Sequence, residues 1–132
     1  MANLTASKAD ERQEGVLIDV ALAAVKVFKG ANVSFNAAGY AKGSSDTASE
    51  NFAGVAMETV DNSAGAAGDK VIRIWREGVS SMAATGATQA WVGQDVYAVD
   101  DQTVALAATT TNDVKVGKVV GFVSATEVRV KI

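Results

Sequence analysis

The chain is 132 residues long, carries a net charge of −3, and contains no cysteine and no histidine. Its length is most simply that of one domain with a core of its own. Without cysteine there are no disulfides, thiol nucleophiles or thiolate metal sites, and without histidine the commonest general base and transition-metal ligand is missing.

Apolar residues make up 48% of the chain, but 25 of them are alanines, which add little buried area. Most of the remainder is valine, 20 residues against four isoleucines and four leucines. Branching at Cβ stiffens χ1 and suits a pleated surface better than a helix. Composition therefore favours an all-β fold, a small β-barrel or sandwich with an extended N-terminal arm and long Gly/Ala/Ser loops. Acidic and basic residues are interspersed, with no basic stripe of the kind that holds phosphates, so nucleic acid is not an expected partner. After Met1, Leu4 is the only large apolar residue before Val16, too little for a signal-peptide core. No stretch approaches the roughly 20 apolar residues of a membrane span. The expectation is a soluble protein made in the cytoplasm, with no membrane partner.

Residues 1–14 are polar and charge-dense, including Lys8, Asp10, Glu11, Arg12 and Glu14. They read as an arm, either solvated or ordered only against a neighbour; residues 15–132 read as a single β domain. Val16, Ile18 and Val20 alternate with Leu17 and Asp19, which predicts a first strand. Val25 and Val27 alternate with Lys26 and Phe28, a Lys29-Gly30 turn follows, and Val33 and Phe35 form a short apolar pair. Residues 36–39 read as a turn, 40–42 as a brief strand, and 43–51 as a polar surface loop. A further strand is predicted over 52–60, with Gly54 and Ala56 leaving room for close approach. Residues 61–69 read as a flexible Gly/Ala connection. It lacks the Gly-Lys-Ser/Thr ending of a phosphate cradle, and Asp61 and Asp69 do not match the spacing of an EF-hand.

The chain is organised around residues 70–79. At period two, Ile72 and Ile74 share one face, while Val71, Arg73, Trp75 and Glu77 share the other. One row belongs in a core; the other shows a tryptophan framed by charges. Gly78 marks a bulge or bend before a strand over 79–82. Residues 83–94 read as a small-residue loop with at most one helical turn at 87–91. Residues 96–99 and 102–106 form a hairpin around Asp100-Asp101, and 107–113 form a polar link. The end is the clearest β signal: a nearly all-apolar run over 114–123, a turn at 124–126, then Val128, Val130 and Ile132 alternating with Glu127, Arg129 and Lys131. Nine or ten short strands without a useful amphipathic helix describe a barrel or sandwich.

Chemistry is limited to carboxylates, hydroxyls and amines. Asp100 and Asp101 sit at a hairpin tip, where aspartate serves turn geometry, and a Ser-Lys dyad cannot be recognised from spacing. No enzyme, metal or cofactor is expected. The aromatic residues are more informative. Phe35, Phe52 and Tyr97 belong in the core. Trp75, beside Arg73 and Glu77, is a candidate subunit contact, because Trp and Arg concentrate at interface centres. Trp91 is read as a plug at one barrel end or, failing that, a second contact. Leu4 and Arg12 of the arm complete the candidate interface.

The ordered set of Gly15-Val16-Leu17-Ile18, Val27-Phe28-Lys29-Gly30-Ala31, Phe52-Ala53-Gly54-Val55-Ala56, Asp61-Asn62-Ser63-Ala64-Gly65, the run from Val71 to Val79, Val92-Gly93-Gln94-Asp95-Val96-Tyr97 and the ending from Val116 to Lys131 resembles the capsid cement (head-decoration) proteins of tailed bacteriophages. The resemblance covers nearly the whole chain from Leu4 onward and rests on packing and turn motifs. It implies a small β-barrel-like protein that coats the outside of a phage head. Its partners would be the major capsid protein and further copies of itself, with trimers favoured and dimers an alternative. It carries no catalytic residues. The alternative reading is a carbohydrate- or host-surface-binding β module of a phage fibre, which needs exposed aromatics in a groove; Trp75 and Trp91 are the residues available for it.

Overall fold

The computed structural model describes residue 6 and residues 15–132. Apart from residue 6, the expected arm over 1–14, with Leu4 and Arg12, lies outside the described residues. Twelve strands follow one another among those described: β1 Leu17–Ala21, β2 Lys26–Val27, β3 Asn32–Phe35, β4 Ala41–Gly43, β5 Asn51–Ala56, β6 Val60–Asp61, β7 Val71–Trp75, β8 Val79–Ala83, β9 Asp95–Ala98, β10 Val104–Ala105, β11 Lys115–Ser124 and β12 Glu127–Lys131. Two single 3-10 turns, Gln89–Trp91 and Ala107–Thr109, are the helical elements described. The first falls where the sequence allows one turn.

The strands form two five-stranded sheets, in the orders β1-β7-β5-β3-β4 and β10-β9-β11-β12-β8, and a two-stranded sheet, β2-β6. Every ladder is antiparallel. Everything up to β7 therefore builds the first half, and everything from β8 the second. The chain crosses between them over residues 76–78, where Gly78 has φ 128°, open to glycine and closed to most side chains. Each large sheet curls until its two edges touch at one parallel bridge. Leu22 meets Ala41 and Ala83 meets Thr103. At each bridge one edge adds a hydrogen bond of 2.9 Å, Ala23 N–H to Ala41 O and Ala83 N–H to Gln102 O. One bridge is not a ladder. The fold is all-β as expected, but neither sheet is a closed barrel.

Each curl has its own core. Leu22, Val27, Val33, Ile72 and Ile74 fill the first, and Met82, Val96, Val104, Val119, Val128 and Val130 the second. Strand β5 is the wall between them. Ala53 and Ala56 belong to the first core, and Val55 to the second. A bulge makes this possible, since the register with β3 passes from Val33–Gly54 to Ser34–Phe52 and leaves Ala53 as the extra residue. Gly54 has no alternative here, because a Cβ would collide with the Trp75 carbonyl oxygen and force β7 away. Polar contacts join the halves. Asn32 N–H donates to Asp101 O at 2.7 Å. The Asp46 carboxylate accepts from the N–H groups of Thr111 and Asn112, at 2.9 and 2.8 Å.

Several expectations change. The strand predicted over 52–60 splits into β5 and β6, because Glu58 Oε1 takes the Arg73 N–H at 3.2 Å in place of a main-chain acceptor. The polar loop after β4 is not all surface. Glu50 is buried, paired with Lys42 and hydrogen-bonded to the Ser45 hydroxyl and N–H. The connection over 61–69, read as flexible, is pinned. Asn62 is 1% exposed and its Nδ2 donates to Leu22 O, Ala23 O and Ala66 O at 3.3, 3.1 and 2.9 Å. Of the aromatics assigned to the core, Phe35 and Phe52 are half-buried and pack against the first and second cores respectively. Tyr97 lies in neither, because the alternation of β9 gives the interior to Val96 and Ala98.

Candidate functional site

Strand β7 alternates as its sequence dictates. Ile72 and Ile74 are 0% exposed, while Val71 is 54% and Trp75 41% exposed. Register extends this outer row across the sheet. Leu17, Asp19 and Ala21 of β1 stand opposite Trp75, Arg73 and Val71, and Val55 of β5 stands on the other side of Trp75. Val55 is covered by the second half; Trp75 is not. The second sheet therefore covers this face only over β5, and the face opens at β7 and β1.

At its centre Arg73 grips Asp19 with Nε at 2.9 Å and Nη2 at 3.4 Å. The hydrogen bond from Arg73 holds the Asp19 carboxyl below its usual range, and its charge adds to this; the same bond raises Arg73. Both groups are half in water, so the pair orders the two side chains more than it stabilises the fold. The result is an exposed apolar strip of Val71 and Trp75 interrupted by one ion pair. Such a surface is suited to another protein surface, since tryptophan and arginine together lose little entropy on docking and bury much area.

Of the candidate residues, Arg73 and Trp75 are brought together on this face. Glu77 is not on it, because β7 ends at Trp75 and Glu77 stands exposed in the turn to β8. Trp91 is half-buried in the first 3-10 turn and packs against the second core. Its ring also lines a groove of about 410 Å³ with Thr85, Val99, Val104 and Leu106. Sequence reading missed that groove, because its walls come from four separate segments.

Asp100 and the Lys42, Ser45 and Glu50 cluster are engaged structurally. Asp100 Oδ1 accepts the N–H groups of Gln102 and Thr103 at 2.9 and 2.7 Å, closing the hairpin turn. Partial burial works to raise this carboxyl, and the bonds from Gln102 and Thr103 outweigh it, leaving it below the usual range. Ser45 Oγ lies 2.8 Å from Lys42 Nζ, the geometry of a Ser-Lys dyad. Lys42, however, donates to Glu50 as well, and an ammonium donating in an ion pair has no lone pair with which to take the hydroxyl proton. Among the described residues no three His, Cys, Asp or Glu side chains gather as a metal site would require, and no helix is long and apolar enough to cross a membrane. The chain matches no family model, no curated protein and no solved structure.

Proposed function

We propose that this protein is a capsid cement protein, bound to the outer surface of a phage head and stabilising contacts between major capsid protein subunits. The observation that carries the reading is the open β7 face, where an exposed Trp75 and Val71 flank the Asp19–Arg73 pair on a rigid sheet. The segments that resemble the decoration proteins supply β1, β5, β7 and the β11–β12 hairpin, so the resemblance runs through both halves.

The mechanism is clamping. A head filled with DNA pushes outward, and its weak lines are the seams between capsomers. An oligomer seated over a seam touches several coat subunits, each through a contact below the roughly 800 Å² per partner of a standard interface. Linking the contacts raises avidity by ~10²–10⁴-fold, so the lattice opens only if all let go together. In this proposal residues 1–14 add a strand to a coat-protein edge or to a neighbouring cement subunit.

The test is to mix purified protein with undecorated heads and measure occupancy by electron microscopy. Trp75→Ala is expected to weaken occupancy by at least about 30-fold, the effect of a hot-spot residue. Deleting residues 1–14 is expected to lower occupancy as well. Full decoration by Trp75→Ala would remove the β7 face from the proposal. The fibre-module reading has less support: the Trp91 groove offers threonine hydroxyls but no carboxylate or carboxamide to grip a sugar, and Trp75 is not part of it. Glycan binding by the isolated protein, with no affinity for heads, would favour that reading instead.

A further inference from the structure

A second hollow, of about 310 Å³, lies where the two halves meet. Phe28, Lys29, Gly30 and Ala31 wall it from the first half, and Asp101 and Gln102 from the second. It shares no residue with the Trp91 groove. Both walls are held by their own turns. Residues 28–31 form a tight turn closed by Ala31 N–H to Phe28 O at 3.1 Å, with Gly30 at φ 87°. Asp101 and Gln102 stand at the tip of the β9–β10 hairpin, which Asp100 ties through the Gln102 and Thr103 N–H groups. The 2.7 Å bond from Asn32 N–H to Asp101 O sets one wall against the other.

The lining is mixed in character. Phe28 is 58% exposed. Lys26 Nζ stands 4.8 Å from its ring centroid, yet Lys26 does not line the hollow, so the ring borders the cavity and the cation at once. Among the described residues, no ion pair or side-chain hydrogen bond takes up the Lys29 ammonium, the Asp101 carboxylate or the Gln102 carboxamide.

This set of groups narrows the ligand. The turn has no N–H left for an anion: Lys29 donates to Thr59 Oγ1 at 2.8 Å, Gly30 to Ala56 O at 2.9 Å, and Ala31 to Phe28 O. An anion would also meet Asp101 across from Lys29. A hard cation takes six or more oxygens, and one carboxylate lines this site. A wholly apolar ligand would bury a charge on each wall without a partner. A neutral sugar residue meets none of these objections. Its C–H face lies on an aromatic ring, and hydroxyls both donate and accept.

We infer that this hollow binds one neutral sugar residue, stacked on Phe28, with hydroxyls donating to Asp101 and accepting from Lys29 and Gln102. None of Asp19, Val71, Arg73 and Trp75 lines it, so sugar and coat protein use different residues. One small site of this kind holds its ligand with a Kd of about 1 mM. On a decorated head many such sites act together, and the linked contacts hold the particle at a glycan-bearing surface. That last step alone rests on the capsid reading.

The test follows the amide chemical shifts of isotope-labelled protein. Methyl glycosides of glucose, galactose, mannose and N-acetylglucosamine are each added to about 50 mM, well above the expected Kd. At least one is expected to shift the amides of residues 28–31 and 101–102 saturably. Phe28→Ala and Asp101→Ala, both at exposed positions, are each expected to weaken binding at least about tenfold, with unchanged spectra elsewhere showing that they fold. Trp75→Ala is expected to bind the sugar like wild type, and Phe28→Ala to decorate heads like wild type, so either reading can fail without the other. No saturable shift with any of the four sugars, shifts centred on Trp91 or Trp75, or variants that bind like wild type would each overturn the inference. So would inorganic phosphate that moves the same amides at lower concentration than any sugar, which is the behaviour of an anion site.

Discussion

Asn62 holds three carbonyls with one amide, and those carbonyls come from the end of β1 and from its own loop. The loop gains two further ties, Ala66 N–H to Asp69 Oδ2 at 2.9 Å and Gly68 N–H to Leu22 O at 2.8 Å. A leucine of similar size would take this bond from each of them and leave Leu22 O, Ala23 O and Ala66 O with the N–H groups of Gly68, Val25 and Asp69 alone, at a cost of about 1 kcal/mol. Asn62→Leu is therefore expected to lower the urea midpoint with an unchanged slope; a midpoint equal to wild type would mean that the loop is held by other bonds. A string of Asp, Asn, Ser, Gly and Ala suggests a loose linker because the composition describes what each residue tolerates. It does not reveal that one amide reaches back 40 residues to Leu22.

At the scale of the element, β7 offers an internal control, since neighbouring residues of one strand face opposite environments. Ile74→Ala removes fully buried methyl groups and is expected to cost about 2–5 kcal/mol. Trp75→Ser changes a larger side chain on the open face and is expected to leave the thermal midpoint close to wild type while abolishing tight binding to heads. If the two variants lose stability equally, the Trp75 face is a packed surface and its proposed role fails. The alternation of this strand was legible in its sequence because a period of two is a local property of the pleat. Glu77 was misplaced because the end of a strand is decided by its partners. The register with β1 stops at Leu17 opposite Trp75, and among the described residues no ladder reaches Glu77.

At the scale of the molecule, Asp46 ties the halves together, accepting N–H bonds from Thr111 and Asn112 across 65 and 66 residues of sequence. The bond from Thr111 and then that from Asn112 hold its carboxyl below the usual 3.8. Asp61 is likewise lowered, chiefly by the Ser63 hydroxyl, and Asp19 and Asp100 are lowered as described above. A depressed carboxyl contributes stability that is fully present above its unfolded value, near 3.8, and is lost as pH falls through the lower folded value. Wild-type stability is therefore expected to be flat above about pH 5 and to fall on the acid side. Asp46→Asn removes one titrating group, so its acid limb is expected to be shallower and its stability near neutrality lower. An acid limb as steep as wild type, followed by denaturant midpoint against pH, would show that the bonds to Thr111 and Asn112 do not couple to folding.

Alone, the sequence determined the all-β class, the inward and outward faces of β7, the Asp100 turn and the closing hairpin. Each of these follows from neighbours within a few residues: β-branching, alternation and turn chemistry act locally. Only the tertiary structure decided that the chain divides into two curled sheets with β5 as their common wall, that Trp91 borders a groove, and that the end of β11 stands clear of β9. Those features depend on which strands pair and where each ladder stops. An apolar run such as 114–123 has the same composition whether its last residues enter a core or reach into solvent, and the length of the neighbouring strand makes the difference.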